Sequence, residues 1–293
     1  MNSQNNFVKS YLDVDQPYRS RSFRHFLANP AAVLGFTLYL VVILVALAAP
    51  MIAPYDPLKI LPALILHKPS TEHWFGNDEL GRDILSRILY GSRVSVGVSI
   101  ISISIAVSGG LVFGLISGYY GGKIGGVIMR VMDALSAFPA VLLALGILSA
   151  MGPGIQNAMI AIGVVYTPAF TRIIRSSVIT VKYNEYVEAA RACGANSISI
   201  IFRTILPNCL SPLMVHSSIG FASAITIEAA LSYLGLGTQP PTPSWGAMLN
   251  NSRQYLSQNM WYSIATGAAI SVTVLGLNVL GDGLRDILDP REH

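Results

Sequence analysis

Residues 185–207 read EYVEAARACGANSISIIFRTILP and lie between two long apolar runs without forming one. The stretch divides into a short helix, a break and a second short helix. Tyr186, Ala189, Ala190 and Cys193 fall at i, i+3, i+4 and i+7, which makes one narrow helical face. Glu185 and Glu188 occupy its first turn, where a carboxylate suits the positive end of the helix dipole. Gly194 is suited to the left-handed conformation that ends a helix. Ser197 is expected to cap the next helix and Pro207 to stop it. With Ala189, Ala190 and Gly194 on its surface, the segment offers a face that another protein's backbone can approach closely.

The chain around this stretch is built for a membrane. Of 293 residues, 52% are hydrophobic and 12% charged, against roughly 25% charged in soluble domains. That composition predicts an all-α polytopic protein, with room for about six spans of ~20 residues each. The formal charge of +4 and the pI near 9.1 fit basic residues kept on cytoplasmic loops and do not call for nucleic acid. The first apolar run follows Pro30, behind a polar, partly basic tail. It is too far from the start for a cleaved signal and reads as a retained span.

In order, residues 1–30 form a tail in which Phe23, His25, Phe26 and Leu27 are suited to lie on the membrane surface. Residues 31–49 are the first span. Residues 50–93 are an extracytoplasmic loop ending in an interfacial helix, with Asp83 and Arg87 spaced to pair at i, i+4. The core, 94–282, holds spans near 94–118, 124–150, 155–174, 213–236 and 263–281, with the loop 183–207 between the fourth and fifth. Gly110, Gly114 and Gly118 give the second span a flat packing face. Pro139 interrupts the third, in which Arg130 and Asp133 are one turn apart and placed to pair. Residues 283–293 are a second tail.

Charge sets the orientation. The 185–207 loop and its flanks carry Arg172, Arg175, Lys182, Arg191 and Arg203, and the end of the chain carries Arg285 and Arg291. The loop at 151–154 has no Lys or Arg, and the one at 237–262 has only Arg253. The 50–93 loop dissents with Lys59, Lys68, Arg82, Arg87 and Arg93, but the other loops and the parity of six spans outweigh it. Both termini and the 185–207 loop are thus expected in the cytoplasm. Cys193 and Cys209 then lie in or beside a reducing compartment, where no disulfide is expected.

The chain contains no G-x-x-x-x-G-K-[ST], G-x-S-x-G or H-E-x-x-H, so neither ATP binding through a P-loop nor hydrolytic catalysis is expected of it. His67 and His73 lack further ligands nearby in sequence, and no metal or other cofactor site is expected. Apart from Arg130 and Asp133 near a span end, the intramembrane charge is Glu228. A proton relay of the kind carriers use is missing. Glu228 either lines a transport pathway or is a hydrogen-bonded structural residue near the outer surface.

Glu188-Ala189-Ala190, Gly194 and Leu206-Pro207, with their spacings, resemble the EAA motif of permease subunits in bacterial ABC importers. Thr204 stands where Ile is usual. HWFGND, GRD and SR between 73 and 87, LGLGTQPPTPSWG at 234–246, and Gly281 to Asp286 followed by Asp289-Pro290 extend the likeness over nearly all of the chain after residue 30. Asn77 and Ser244 replace the family's more frequent Thr and Glu. The chain is similar to the peptide/nickel branch, and within it to the C-type subunit of dipeptide, oligopeptide, glutathione or nickel systems. The resemblance implies a non-enzymatic transport subunit in the bacterial cytoplasmic (inner) membrane. Its implied partners are a second homologous permease, two cytoplasmic ATPases that use ATP and Mg, and an extracytoplasmic substrate-binding protein. Glu185, Glu188, Ala189, Ala190, Arg191, Gly194, Leu206 and Pro207 would then couple to the ATPases. The contrasting reading is an ATP-independent secondary transporter or channel.

Overall fold

The structure, a computed structural model, describes residues 29–288. The expectations for Phe23, His25, Phe26 and Leu27, and for Asp289-Pro290 and Arg291, lie outside those residues. Helices make up the fold: α1 Pro30–Ile52, α2 Ile84–Tyr120, α3 Gly122–Ser136, α4 Ala140–Met151, α5 Ile155–Lys182, α6 Glu185–Ala192, α7 Ser197–Tyr233, α8 Trp245–Ser252 and α9 Met260–Leu288. Helices α1, α2, α5, α7 and α9 are each long and apolar enough to cross a membrane. Helices α3 and α4 meet at 93° and make a sixth pass if counted together. The bend falls at Pro139, which caps α4 and cannot continue α3.

Several helices outrun their apolar stretches. Helix α2 starts at Ile84 rather than near 94, because Asp83 caps it by accepting from the Ser86 amide at 2.8 Å. The polar residues that made 84–93 read as a loop, Ser86, Arg87 and Ser92, are buried. Helix α5 continues past 174 to Lys182, and α9 runs through the Gly281 to Asp286 segment, which is therefore helix and not a tail.

Pro207 does not stop a helix. The helix that begins at Ser197 runs through a π turn, Ile200–Ile205, and on to Tyr233. The Leu206 amide reaches back five residues to the Ile201 carbonyl. This wider turn accommodates a ring that has no N–H to donate. The Asn208 side chain donates to the Thr204 carbonyl at 2.7 Å. Asn196, not Ser197, caps this helix, through the Ser199 amide at 2.7 Å.

The core is centred on α2 against α5. Gly110, Gly114 and Gly118 lie directly against Phe170, Ile174 and Val178, where any Cβ would collide. Small residues let the two backbones approach where lipid supplies no hydrophobic drive between helices. Ser102 of α2 adds a hydrogen bond to the Met159 carbonyl at 3.0 Å. Helix α1 is peripheral and packs mainly on α9, with Gly35 and Gly283 at backbone contact with Leu280 and Ala32.

Candidate coupling surface and the α1–α2 loop

Helix α6 is pinned by one apolar residue and otherwise open. Val187 is fully buried in the main core. Glu185, Tyr186, Glu188, Ala189 and Arg191 are exposed, and Ala190 is half-buried. The Ala195 amide bonds to the Ala190 carbonyl at 3.0 Å and the Gly194 amide to that of Arg191 at 2.9 Å. This paired ending requires a left-handed residue, and Gly194 has φ +82°. Nothing lies within 4 Å of the position a Gly194 Cβ would take. At Ala189 and Gly194 the surface is thus open, while Ala190 packs partly against the core.

Of the residues expected to couple, Glu185 to Arg191 and Gly194 share this surface. Leu206 and Pro207 do not lie on it. They sit just beyond the π turn, the part of α7 that packs against α6. Leu206 is half-buried against the core and Pro207 is exposed.

Sequence reasoning missed how α6 is tied to its neighbours. Lys182 at the end of α5 donates to the Tyr119 carbonyl in the last turn of α2, at 2.6 Å. Its Nζ is also 5.6 Å from the Tyr119 ring centroid. The Arg191 guanidinium of α6 lies 5.6 Å from the same ring. The 63-residue gap between Tyr119 and Lys182 leaves no periodic signal that pairs them.

The α1–α2 loop is closed by buried charge. Asp83 is hydrogen-bonded to the His73 ring at 2.8 Å and accepts from the Ser86 hydroxyl at 2.7 Å. The expected Asp83–Arg87 pair does not form, because Asp83 turns back to cap α2. Arg87 instead lies 3.3 Å from Asp78 and donates to the Pro57 carbonyl at 3.0 Å. Arg82 pairs with Asp78 at 2.7 Å and Glu79 at 3.0 Å. From the far end of the sequence, Asn251 donates to Glu79, Asn259 to the Asn77 carbonyl, and Trp245 to the Ile88 carbonyl.

Asp133 pairs with Arg172 of α5 at 3.0 Å, an exposed contact, rather than with Arg130. Packing α3 on α5 brings the Arg172 guanidinium across to Asp133. Glu228 is 1% exposed and accepts from the Ser232 hydroxyl at 2.7 Å. Ser232 in turn accepts from the Thr238 amide at 3.0 Å. The carboxylate faces the interior of this chain. Cys193 is exposed and Cys209 buried, and both are free thiols.

Residues 110–293, which contain α5, α6 and α7, match the model of the binding-protein-dependent transport system inner membrane component. The chain belongs to this family. Residues 18–69 of the permease match the N-terminal transmembrane domain of oligopeptide transport permease C. It is 44% identical to the dipeptide transport system permease protein DppC of Alkalihalophilus pseudofirmus, over 94% of this chain and 90% of the relative. It is 42% identical to the glutathione transport system permease protein GsiD of Pectobacterium atrosepticum, over 95% and 92%. A chain of the MetNI methionine ABC transporter in an inward-facing conformation aligns with a TM-score of 0.56, covering 70% of the permease and 97% of that chain. At 18% identity that likeness concerns the fold.

Proposed function

We propose that this permease forms the translocation pathway for short peptides together with a second, homologous permease, and that α6 couples the pathway to two ATPase subunits in the cytoplasm. An extracytoplasmic binding protein would deliver the substrate. The observation that carries the coupling role is the exposed, Gly194-terminated surface of α6, whose one fully buried residue is Val187. The relatives support the peptide assignment by their names, and glutathione, the cargo of one of them, is itself a short peptide. The excess of Lys and Arg around α6 supports a cytoplasmic position for it and, by parity, for both termini. ATP-driven closure of the ATPases would displace α6 as a rigid body and shift the attached helices between two access states. A nickel importer of the same build is the second reading, carried by the family's shared motifs.

Purification from membranes tests the proposal. The permease is expected to come out with a second permease and ATPase subunits, and the complex in proteoliposomes should take up a labelled dipeptide only when ATP and the binding protein are supplied. Uptake by this chain alone without ATP would mean a secondary transporter. Uptake of nickel but no peptide would move the assignment to the second reading.

A further inference from the structure

Tyr119 stands where three helices end. It lies in the last turn of α2, just before Gly121 closes that helix with φ +62°. Its side chain is 8% exposed and packs in the core that also holds Val178 and Val181 of α5 and Val187 of α6. The Lys182 ammonium binds its carbonyl at 2.6 Å, where a helix end presents acceptors without donors. The same ammonium and the Arg191 guanidinium both approach its ring, each at 5.6 Å from the centroid. Neither cation has a salt-bridge partner among the described residues. An aromatic face attracts a cation electrostatically within about 6 Å of its centroid. The Lys182 ammonium also lies 5.5 Å from the Tyr183 ring, so Tyr119 is the ring that both cations approach.

We infer that Tyr119 is the joint that fixes α6 against the ends of α2 and α5, acting through the ring that Lys182 and Arg191 both approach. It is a positioning residue, and the inference rests on the reading of α6 as the coupling helix. Val187 holds α6 by apolar contact, which permits sliding. The ring and the two cations add direction, so a displacement of α6 moves α2 with it. Helix α2 has 37 residues, about 55 Å at the helical rise, and its other end is held by Asp83 and Trp245. The motion would thus reach the α1–α2 loop.

The test uses the assembled complex and two readouts. The first is uptake of tritiated glycyl-leucine alongside ATP hydrolysis. Tyr119→Leu should lower uptake roughly tenfold, within the range by which residues along a coupling path act, while assembly and hydrolysis persist, and Arg191→Gln should lower uptake by a similar factor. Tyr119→Phe, which keeps the ring, and Arg191→Lys, which keeps the charge, should restore most of it. The double variant Tyr119→Leu/Arg191→Gln should be no worse than either single one. The second readout is amide hydrogen exchange over residues 185–192, which should quicken roughly tenfold in Tyr119→Leu and stay near wild type in Tyr119→Phe. Unchanged exchange in Tyr119→Leu, equal defects in the Phe and Leu variants, or additive losses in the double variant would each overturn the inference. Additive losses would mean that Arg191 acts on the ATPase directly. A wild-type complex that takes up no peptide while the exchange pattern holds would refute the importer assignment and leave the joint standing.

Discussion

The carboxylate of Asp83 is bonded to the His73 ring and turned away from Arg87, one helical turn along. The other carboxylate oxygen caps α2, so a single side chain both starts a 37-residue helix and closes the loop in front of it. Asp83→Ala removes the cap and leaves buried partners unsatisfied. We expect a loss of about 2 kcal/mol, read as earlier thermal unfolding of the purified permease in detergent. Asp83→Asn retains an acceptor and should lose less. Unaltered unfolding of the Ala variant would show the contacts to be incidental.

Gly194 ends α6 with φ +82° and has empty space above it. An added side chain meets nothing in this chain, so Gly194→Asp should cost on the order of 1 kcal/mol of backbone strain and still insert and fold. Its charge and bulk would instead meet the ATPase. Lost ATP-driven uptake with normal membrane levels is the expected result. Normal uptake would remove the coupling role of this surface. Glu188→Ala, at an exposed helix start worth ~0.3–1 kcal/mol, should be mild by comparison.

Glu228 is enclosed by its own subunit and bonded to Ser232, which favours the structural role over the pathway one. Glu228→Gln keeps shape and most hydrogen bonding. Complex assembly and peptide uptake are both expected to stay close to wild type, measured on the same preparation. A fall in uptake with assembly and basal ATP hydrolysis intact would restore the pathway reading.

Orientation is accessible through thiols. Cys193 is exposed and Cys209 buried. Ser244 is an unsuitable site for a reporter on the other side, because it is fully buried and caps α8 through the Ala247 amide. Thr242 is exposed. A membrane-impermeant maleimide added to intact cells should label Thr242→Cys and miss Cys193. Labelling of Cys193 without Thr242→Cys would invert the topology.

The spans were legible because apolar composition is a direct consequence of facing lipid. Their ends were not, since α2, α5 and α9 run beyond the apolar stretches, and beyond them capping and tertiary contacts decide. Asp83 and Arg87 have the spacing of an ion pair, yet a cap at the same residue competes and wins. Pro207 has the chemistry of a helix stop, but the π turn before it removes the conflict. The face of α6 and the role of Gly194 could be read locally, because a short helix and its ending are set by neighbours in sequence. The ring shared by Lys182 and Arg191 could not, because it depends on how three helix ends converge.

The hydrogen bonds that complete the α1–α2 loop join residues 157 to 192 positions apart: Trp245 to Ile88, Asn251 to Glu79, and Asn259 to Asn77 and His67. During synthesis these partners emerge long after the loop does. At 5–20 residues per second, the delay is roughly eight to forty seconds. For that interval Glu79, the loop carbonyls and the first turns of α2 lack the groups that later cover them. The loop can be sealed only once α8 and α9 are in place. Closure of the α1–α2 loop therefore waits on the last helices of the chain, and a polypeptide cut short before α8 lacks the groups that complete it.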